Sequence, residues 1–112
     1  MSSYRDLLVW QKSFDLAKHV YKLCDKLPKT EMYGLISQAQ RSAVSIPSNI
    51  AEGQQRNSVK EFKQFLAIAR GSAAELSTQL LLIEEIYSIP TSELVLKAEE
   101  IQKMLYSLQN KL

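Results

Sequence analysis

The chain has 112 residues, enough for one domain with a core of its own and too few for two. Hydrophobic residues make up 46% and charged residues 23%, with only three glycines and three prolines, a balance that excludes a disordered or turn-rich protein. The single cysteine excludes an internal disulfide, and no apolar run approaches the length of about 20 residues that crosses a bilayer, so with a net charge of +2 the expectation is a soluble cytoplasmic protein without a membrane span.

Apolar residues step by threes and fours in four segments, the spacing that keeps one face of a helix toward a partner. The first, expected over residues 5–27, has the stripe Leu7, Trp10, Phe14, Ala17, Tyr21 and Cys24. The second, over residues 32–55, runs Leu35, Ala39, Ala43, Ile46, Ile50 and Gly53. In the third, residues 59–88, the stripe is Phe62, Leu66, Ala69, Ala73, Leu76, Leu80, Ile83 and Tyr87, and in the fourth, residues 91–111, it is Leu94, Ala98, Ile101, Leu105, Leu108 and Leu112. Between them lie "LPKTE" with Pro28, "QRNS" with Asn57 and Ser58, and "IPTSE" with Pro90 and Thr91. Ser58 and Glu61 have capping-box spacing, and Pro90-Thr91 suits a helix start. Short connections imply antiparallel neighbours. The expected fold is all-α: one domain, residues 1–112, folded as an up-down-up-down four-helix bundle.

The stretch "SIPSNIAEG", residues 45–53, places Pro47 inside the second segment. Proline removes the hydrogen bond to the carbonyl of Ala43 and crowds that turn, yet the apolar stripe keeps its phase on both sides. A loop would have no reason to keep it, so the reading is a helix kinked at Pro47. Ile36, Val44, Pro47 and Ala51 widen its apolar arc to roughly half the circumference. The opposite arc is polar: Gln38, Arg41, Ser45, Ser48, Asn49, Glu52 and Arg56. Two readings stay open. In one, Glu52 and Arg56 form an i,i+4 pair, small residues let helices approach, and Ser45 or Asn49 satisfies backbone groups freed by the proline. In the other, the stripe is a binding surface.

"VWQKSFDLA", "YGLISQAQRSAVSIPSNIAEG" and "EFKQFLAIARGSAAELSTQL" together resemble the bacterial four-helix-bundle family associated with intervening sequences of 23S ribosomal RNA genes, a related branch of which serves as the accessory protein of diversity-generating retroelements. The resemblance spans nearly the whole chain. It implies a ring-like homopentamer without known catalytic activity, and in the retroelement branch work beside a reverse transcriptase together with nucleic-acid binding. Carried over as structural or interface signatures are Trp10, Tyr33, Gly34, Arg41, Pro47, Asn49, Glu52, Gly53, Arg56, Gly71 and Glu75. Gly71 lies mid-helix, where glycine costs about 1 kcal/mol relative to alanine, and close helix packing is the expected reason.

Chemistry-bearing clusters are sparse. His19 and Cys24 are five apart and make a poor metal pair, and Asp15 and His19 suit a surface contact. No phosphate loop, zinc motif or nucleophile elbow is present, and no metal or cofactor is expected. Glu52 and Glu75 could meet as a carboxylate pair, but Arg41, Arg56 and Arg70 offer them partners. The leading expectation is a non-enzymatic oligomeric protein that binds structured RNA or a ribonucleoprotein. The alternative is a scaffold presenting helices to another protein, such as a polymerase-type enzyme. Up-down topology would gather Arg5, Lys12, Arg56, Lys60, Lys63, Lys103 and Lys111 at one end against only Asp6, Glu52 and Glu61, which a cyclic assembly would repeat as a basic crown. Lys22, Lys26 and Lys29 would meet Asp25, Glu31, Glu84, Glu85 and Glu93 at the other end. Tyr4, Val9, Leu81 and Ile86 are left without obvious partners, which points to a homo-oligomer.

Overall fold

A computed structural model describes residues 3–112. Its helices are α1 Leu8–Cys24, α2 Leu35–Gln54, α3 Val59–Tyr87 and α4 Ser92–Lys111, with short 3-10 turns at Tyr4–Asp6 and Lys29–Glu31. Each helix packs on the next and α4 closes back on α1, giving an antiparallel four-helix bundle of 43 × 21 × 20 Å. The ends sit a little inside the spans read from the sequence. The Tyr4–Asp6 turn, capped by the Ser3 side chain, precedes α1, and residues 25–34 form the turns that lead into α2.

The caps are partly as expected. Ser58 Oγ accepts from the Glu61 amide at 3.0 Å, but the Glu61 carboxylate takes the Ser58 hydroxyl, at 3.2 Å, so the Ser58 side chain serves both bonds. Thr91 is the N-cap residue of α4, its carbonyl accepting from the Val95 amide at 3.0 Å, but its side chain makes no capping bond to the helix. Its hydroxyl donates to the Leu80 carbonyl at 3.0 Å, and its amide donates to Glu84 Oε1 at 2.8 Å, which fastens the start of α4 to α3. The Tyr87 hydroxyl donates a short hydrogen bond to Glu31 Oε2, and Glu31 Oε1 accepts from the Leu35 amide at 3.1 Å. Those bonds tie the α1–α2 connection to the end of α3.

The stripes of α2 and α3 meet in the core: Ala39, Ala43, Ile46 and Ile50 face Leu66, Ala69, Ala73, Leu76 and Leu80, all fully buried. In α4, Ala98, Ile101 and Leu105 are buried, while Leu112 is exposed. The first helix departs from the sequence reading. Its buried residues are Val9, Ser13, Leu16, Val20, Leu23 and Cys24; of the expected stripe Cys24 is buried and Leu7, Trp10 and Ala17 pack partly against the core, while Phe14 and Tyr21 are about half exposed. Two apolar lines run along α1 side by side, and the stripe expected from the sequence is the aromatic one. The aliphatic line wins because compact branched side chains fill the narrow centre, and its one polar member, Ser13, satisfies its hydroxyl on the Trp10 carbonyl at 3.0 Å. Val9, expected to lack a partner, is therefore a core residue.

Helix α2 is unbroken through Pro47. Asn49 Nδ2 donates to the Ser45 carbonyl at 2.7 Å, one turn back, and not to the carbonyl of Ala43 that the proline frees. Two glycines behave oppositely. A Cβ on Gly53 would lie 2.6 Å from Phe65 Cβ and 3.0 Å from Phe62 Cδ1, so α2 and α3 touch there only because that atom is missing. A Cβ on Gly71 would meet nothing within 4 Å. The expected close packing at Gly71 is absent among the described residues, because Gly71 lies on the outward side of α3.

Candidate nucleic-acid interface and the surfaces around it

Two sets of bonds give the levels of the helices along the bundle. Ser42 Oγ donates to Glu75 Oε1 at 3.3 Å and Ser45 Oγ lies 2.8 Å from Ser72 Oγ, which aligns α2 with α3. Gln102 Nε2 reaches Ser77 Oγ at 3.4 Å, Gln109 Nε2 reaches the Lys63 carbonyl at 3.2 Å, and Lys12 Nζ reaches Glu100 Oε1 at 3.2 Å, which aligns α4 with α3 and α1.

On this scale the basic residues divide. Arg56, Lys60, Lys63 and Lys111 stand at the end where α2 finishes, α3 starts and α4 finishes. Lys60 and Lys63 line one shallow depression with Gln109. Neither has a carboxylate partner among the described residues, so their ammonium groups are available to phosphate. Lys103 and Lys111 line a neighbouring depression, between the start of α1 and α4. The placement of Lys12 and Lys103 at the basic end needs correction: α1 begins well inside the length of α3, so both stand near mid-height, Lys12 paired with Glu100. Arg5 is exposed beside the start of α1, its carbonyl accepting from Gln11 Nε2 at 2.8 Å.

Arg56 is held by its neighbours. Its guanidinium lies 2.7 Å from Glu52 Oε2, 3.7 Å from Glu61 Oε1 and 4.9 Å from the centre of the Phe65 ring. Exposed pairs of this kind contribute about 1 kcal/mol or less, but three contacts fix the side chain across the α2–α3 turn. Arg70 is spent similarly, on Gln109 Oε1 at 3.1 Å and the Tyr106 ring at 4.7 Å. Neither Arg70 nor Arg41 pairs with Glu75, contrary to the ion pairing expected from the sequence. Glu52 stands level with Phe65, ten residues of α3 from Glu75, and the helical rise separates the two carboxylates by about 15 Å. They are not a pair.

The polar stripe of α2 splits in two. Ser45, Asn49, Glu52 and Arg56 bond within the bundle. Gln38 and Arg41, without side-chain partners among the described residues, open onto a polar cleft between α2 and α3 that also contains Tyr33, Ser42, Glu75 and Gln79. Tyr33 is 92% exposed. Gln79 is buried, and its Oε1 finds no hydrogen-bond partner among the described residues. Gly34 beside Tyr33 is hemmed in by Glu31, whose Oε1 would lie 2.6 Å from an added Cβ.

Beside Pro47 an apolar groove of about 590 Å³ runs between α1 and α2, walled by Tyr4, Trp10, Phe14, Tyr21 and Val44. Trp10 stacks on Phe14 with centroids 5.0 Å apart and meets Tyr4 edge-on at 5.3 Å. The signal was in the sequence as the second apolar line of α1, read there as core.

Burial pushes the Cys24 thiol up to about 11, with Asp25 adding to the rise, so the thiolate is scarce at neutral pH. His19 Nδ1 contacts the Asp15 carbonyl at 2.9 Å and its carboxylate at 3.5 Å, the surface contact expected. Among the described residues no three His, Cys, Asp or Glu side chains gather as a metal site would require. No helix among them is long and apolar enough to cross a membrane.

Residues 5–107 match the model of the 23S rRNA-intervening sequence protein family. The chain belongs to that family. Its bundle is similar to the crystal structure of a protein of unknown function from the S23 ribosomal protein family of Bacteroides thetaiotaomicron, at 28% identity and a TM-score of 0.79, covering 91% of this chain and 98% of that one. No curated protein matches the sequence. Within this intervening-sequence family member, Pro47, Asn49 and Gly53 are packing residues by their contacts, while Tyr33, Arg41 and Gly71 face outward.

Proposed function

We propose that this intervening-sequence family member is a non-enzymatic, oligomeric binding protein for structured RNA or a ribonucleoprotein, and that it works in the cytoplasm. The observation that carries this reading is the pair Lys60 and Lys63, unpaired and together at one end of the bundle with Arg56 and Lys111 nearby. One copy offers few charges. A cyclic assembly, most simply the pentamer that the family resemblance implies, repeats them around one rim, and phosphate neutralisation grows with each. The family's description, which names 23S rRNA, supports the same partner class.

A second reading, a scaffold for a protein partner, draws support from the cleft beside Tyr33 and Arg41, since exposed Tyr and unpaired Arg are common anchors of protein interfaces. Purification from cells under gentle salt separates the two. Bound RNA, seen as absorbance at 260 nm that ribonuclease removes, supports the first, and a stoichiometric second polypeptide supports the scaffold.

A further inference from the structure

Two apolar surfaces stand on different sides of the bundle. One is the groove between α1 and α2, rimmed by Lys18 and Lys22. The other is the outward line of α3, where Ala67, Gly71, Ala74 and Thr78 are all exposed and make a shallow, nearly side-chain-free strip. That strip ends in Leu81 and Leu82, 56% and 45% exposed, beside Glu85. No described residue covers either surface, and contiguous exposed apolar area of this kind is a mark of an interface.

We infer that the α3 strip of one copy docks into the α1–α2 groove of the next copy, forming the repeating contact of the assembly. The inference rests on the oligomeric part of the function proposed above and deepens it by assigning the two faces. Three observations support it. First, the levels agree. The Ser42–Glu75 and Ser45–Ser72 bonds put Val44 and Pro47 at the height of Gly71 and Ala74, and Trp10 and Phe14 wall the same groove as Val44 and Pro47. Rotation about an axis along the bundle preserves height, so a ring brings strip and groove together without sliding one copy past another. Second, the charges complement each other. Lys18 and Lys22 on the groove rim and Glu85 beside the strip have no ion-pair partners among the described residues, and Tyr21 and Lys22 lie toward the same end as Leu81 and Glu85. Third, Gly71 becomes intelligible. A glycine in an exposed helix interior weakens the helix and does nothing for its own chain, whereas a missing Cβ lets the bulky Trp10 and Phe14 of a neighbour approach the α3 backbone. The contact is heterologous, since strip and groove are different surfaces, and a heterologous contact gives a ring when its rotation closes.

The test uses four variants of the full chain, each checked for helicity by circular dichroism and sized by light scattering with sedimentation at micromolar concentration. Gly71→Trp adds bulk where the isolated chain has open space, so it should fold and sediment as a monomer. Lys22→Glu and Glu85→Lys should each weaken assembly on the order of tenfold or more by placing like charges together, and the double exchange should restore it. A folded Gly71→Trp protein that assembles like the parent, or charge variants without effect or without mutual rescue, would overturn the docking mode while leaving the oligomer intact. A parent protein that is itself monomeric would overturn both the docking mode and the oligomeric reading beneath it.

Discussion

Gly53 and Phe65 approach so closely that a single added carbon would stand 2.6 Å from the phenylalanine Cβ. Both positions belong to backbone-anchored parts of α2 and α3, and the Cβ of Phe65 cannot swing away as a side-chain tip could. Gly53→Ala must therefore separate the helices, although alanine is the better helix former by about 1 kcal/mol. Overpacking of this kind costs roughly 1–3 kcal/mol. Urea denaturation should show Gly53→Ala less stable than the parent; equal or greater stability would mean the helices part freely at this point.

The hydrogen bond between Tyr87 and Glu31 predicts a pH signature at both extremes. The Tyr87 hydroxyl, and after it the Leu35 amide, hold the Glu31 carboxyl below its ordinary 4.5, so its contribution is present above that value and fades as pH falls through the lowered one. The same bond, with the carboxylate beside it, raises the Tyr87 phenol above its ordinary 10.0, so its contribution is complete below pH 10.0 and fades as pH rises through the raised value. Tyr87→Phe should lower stability across neutral pH and flatten both limbs of the stability curve. Parallel curves for variant and parent from pH 3 to 11, followed by thermal melts, would show that the bond is not made in solution.

Pro47 is buried in α2 and also lines the groove. Pro47→Ala restores an amide for the Ala43 carbonyl, worth about 1 kcal/mol, but removes ring contacts and straightens any bend the proline imposes. The expected result is little net change in stability with weaker assembly. A markedly more stable variant of unchanged size in solution would show that the proline has no packing role.

Most of the fold was legible in the sequence because α2, α3 and α4 each carry one dominant apolar line, and a single line fixes which face turns inward. Helix α1 carries two, Val9–Ser13–Leu16–Val20 and Trp10–Phe14–Tyr21, and spacing alone cannot say which one fills the centre. The fate of Gly71 was illegible for a related reason. Helical spacing reports that residues share a face, but whether that face meets another helix of the same chain depends on packing. The basic end was partly legible. Lys60 and Lys63 follow from topology, whereas Lys12 and Lys103 required knowing that α1 is shorter than α3 and starts above its base.

RNA binding at the basic end is most directly tested by comparing two charge reversals that leave the groove and the Arg56 contacts untouched. One is Lys60→Glu with Lys63→Glu, and the other is Lys26→Glu with Lys29→Glu at the opposite end. Equilibrium binding to one structured RNA, fluorescently labelled, is measured on folded assemblies of equal size over a series of salt concentrations. The account predicts that the first pair weakens binding steeply and lowers the salt slope, because lost phosphate contacts release fewer counterions, while the second pair binds nearly as the parent does. Equal losses from both pairs, or a salt slope unchanged by the first, would contradict it.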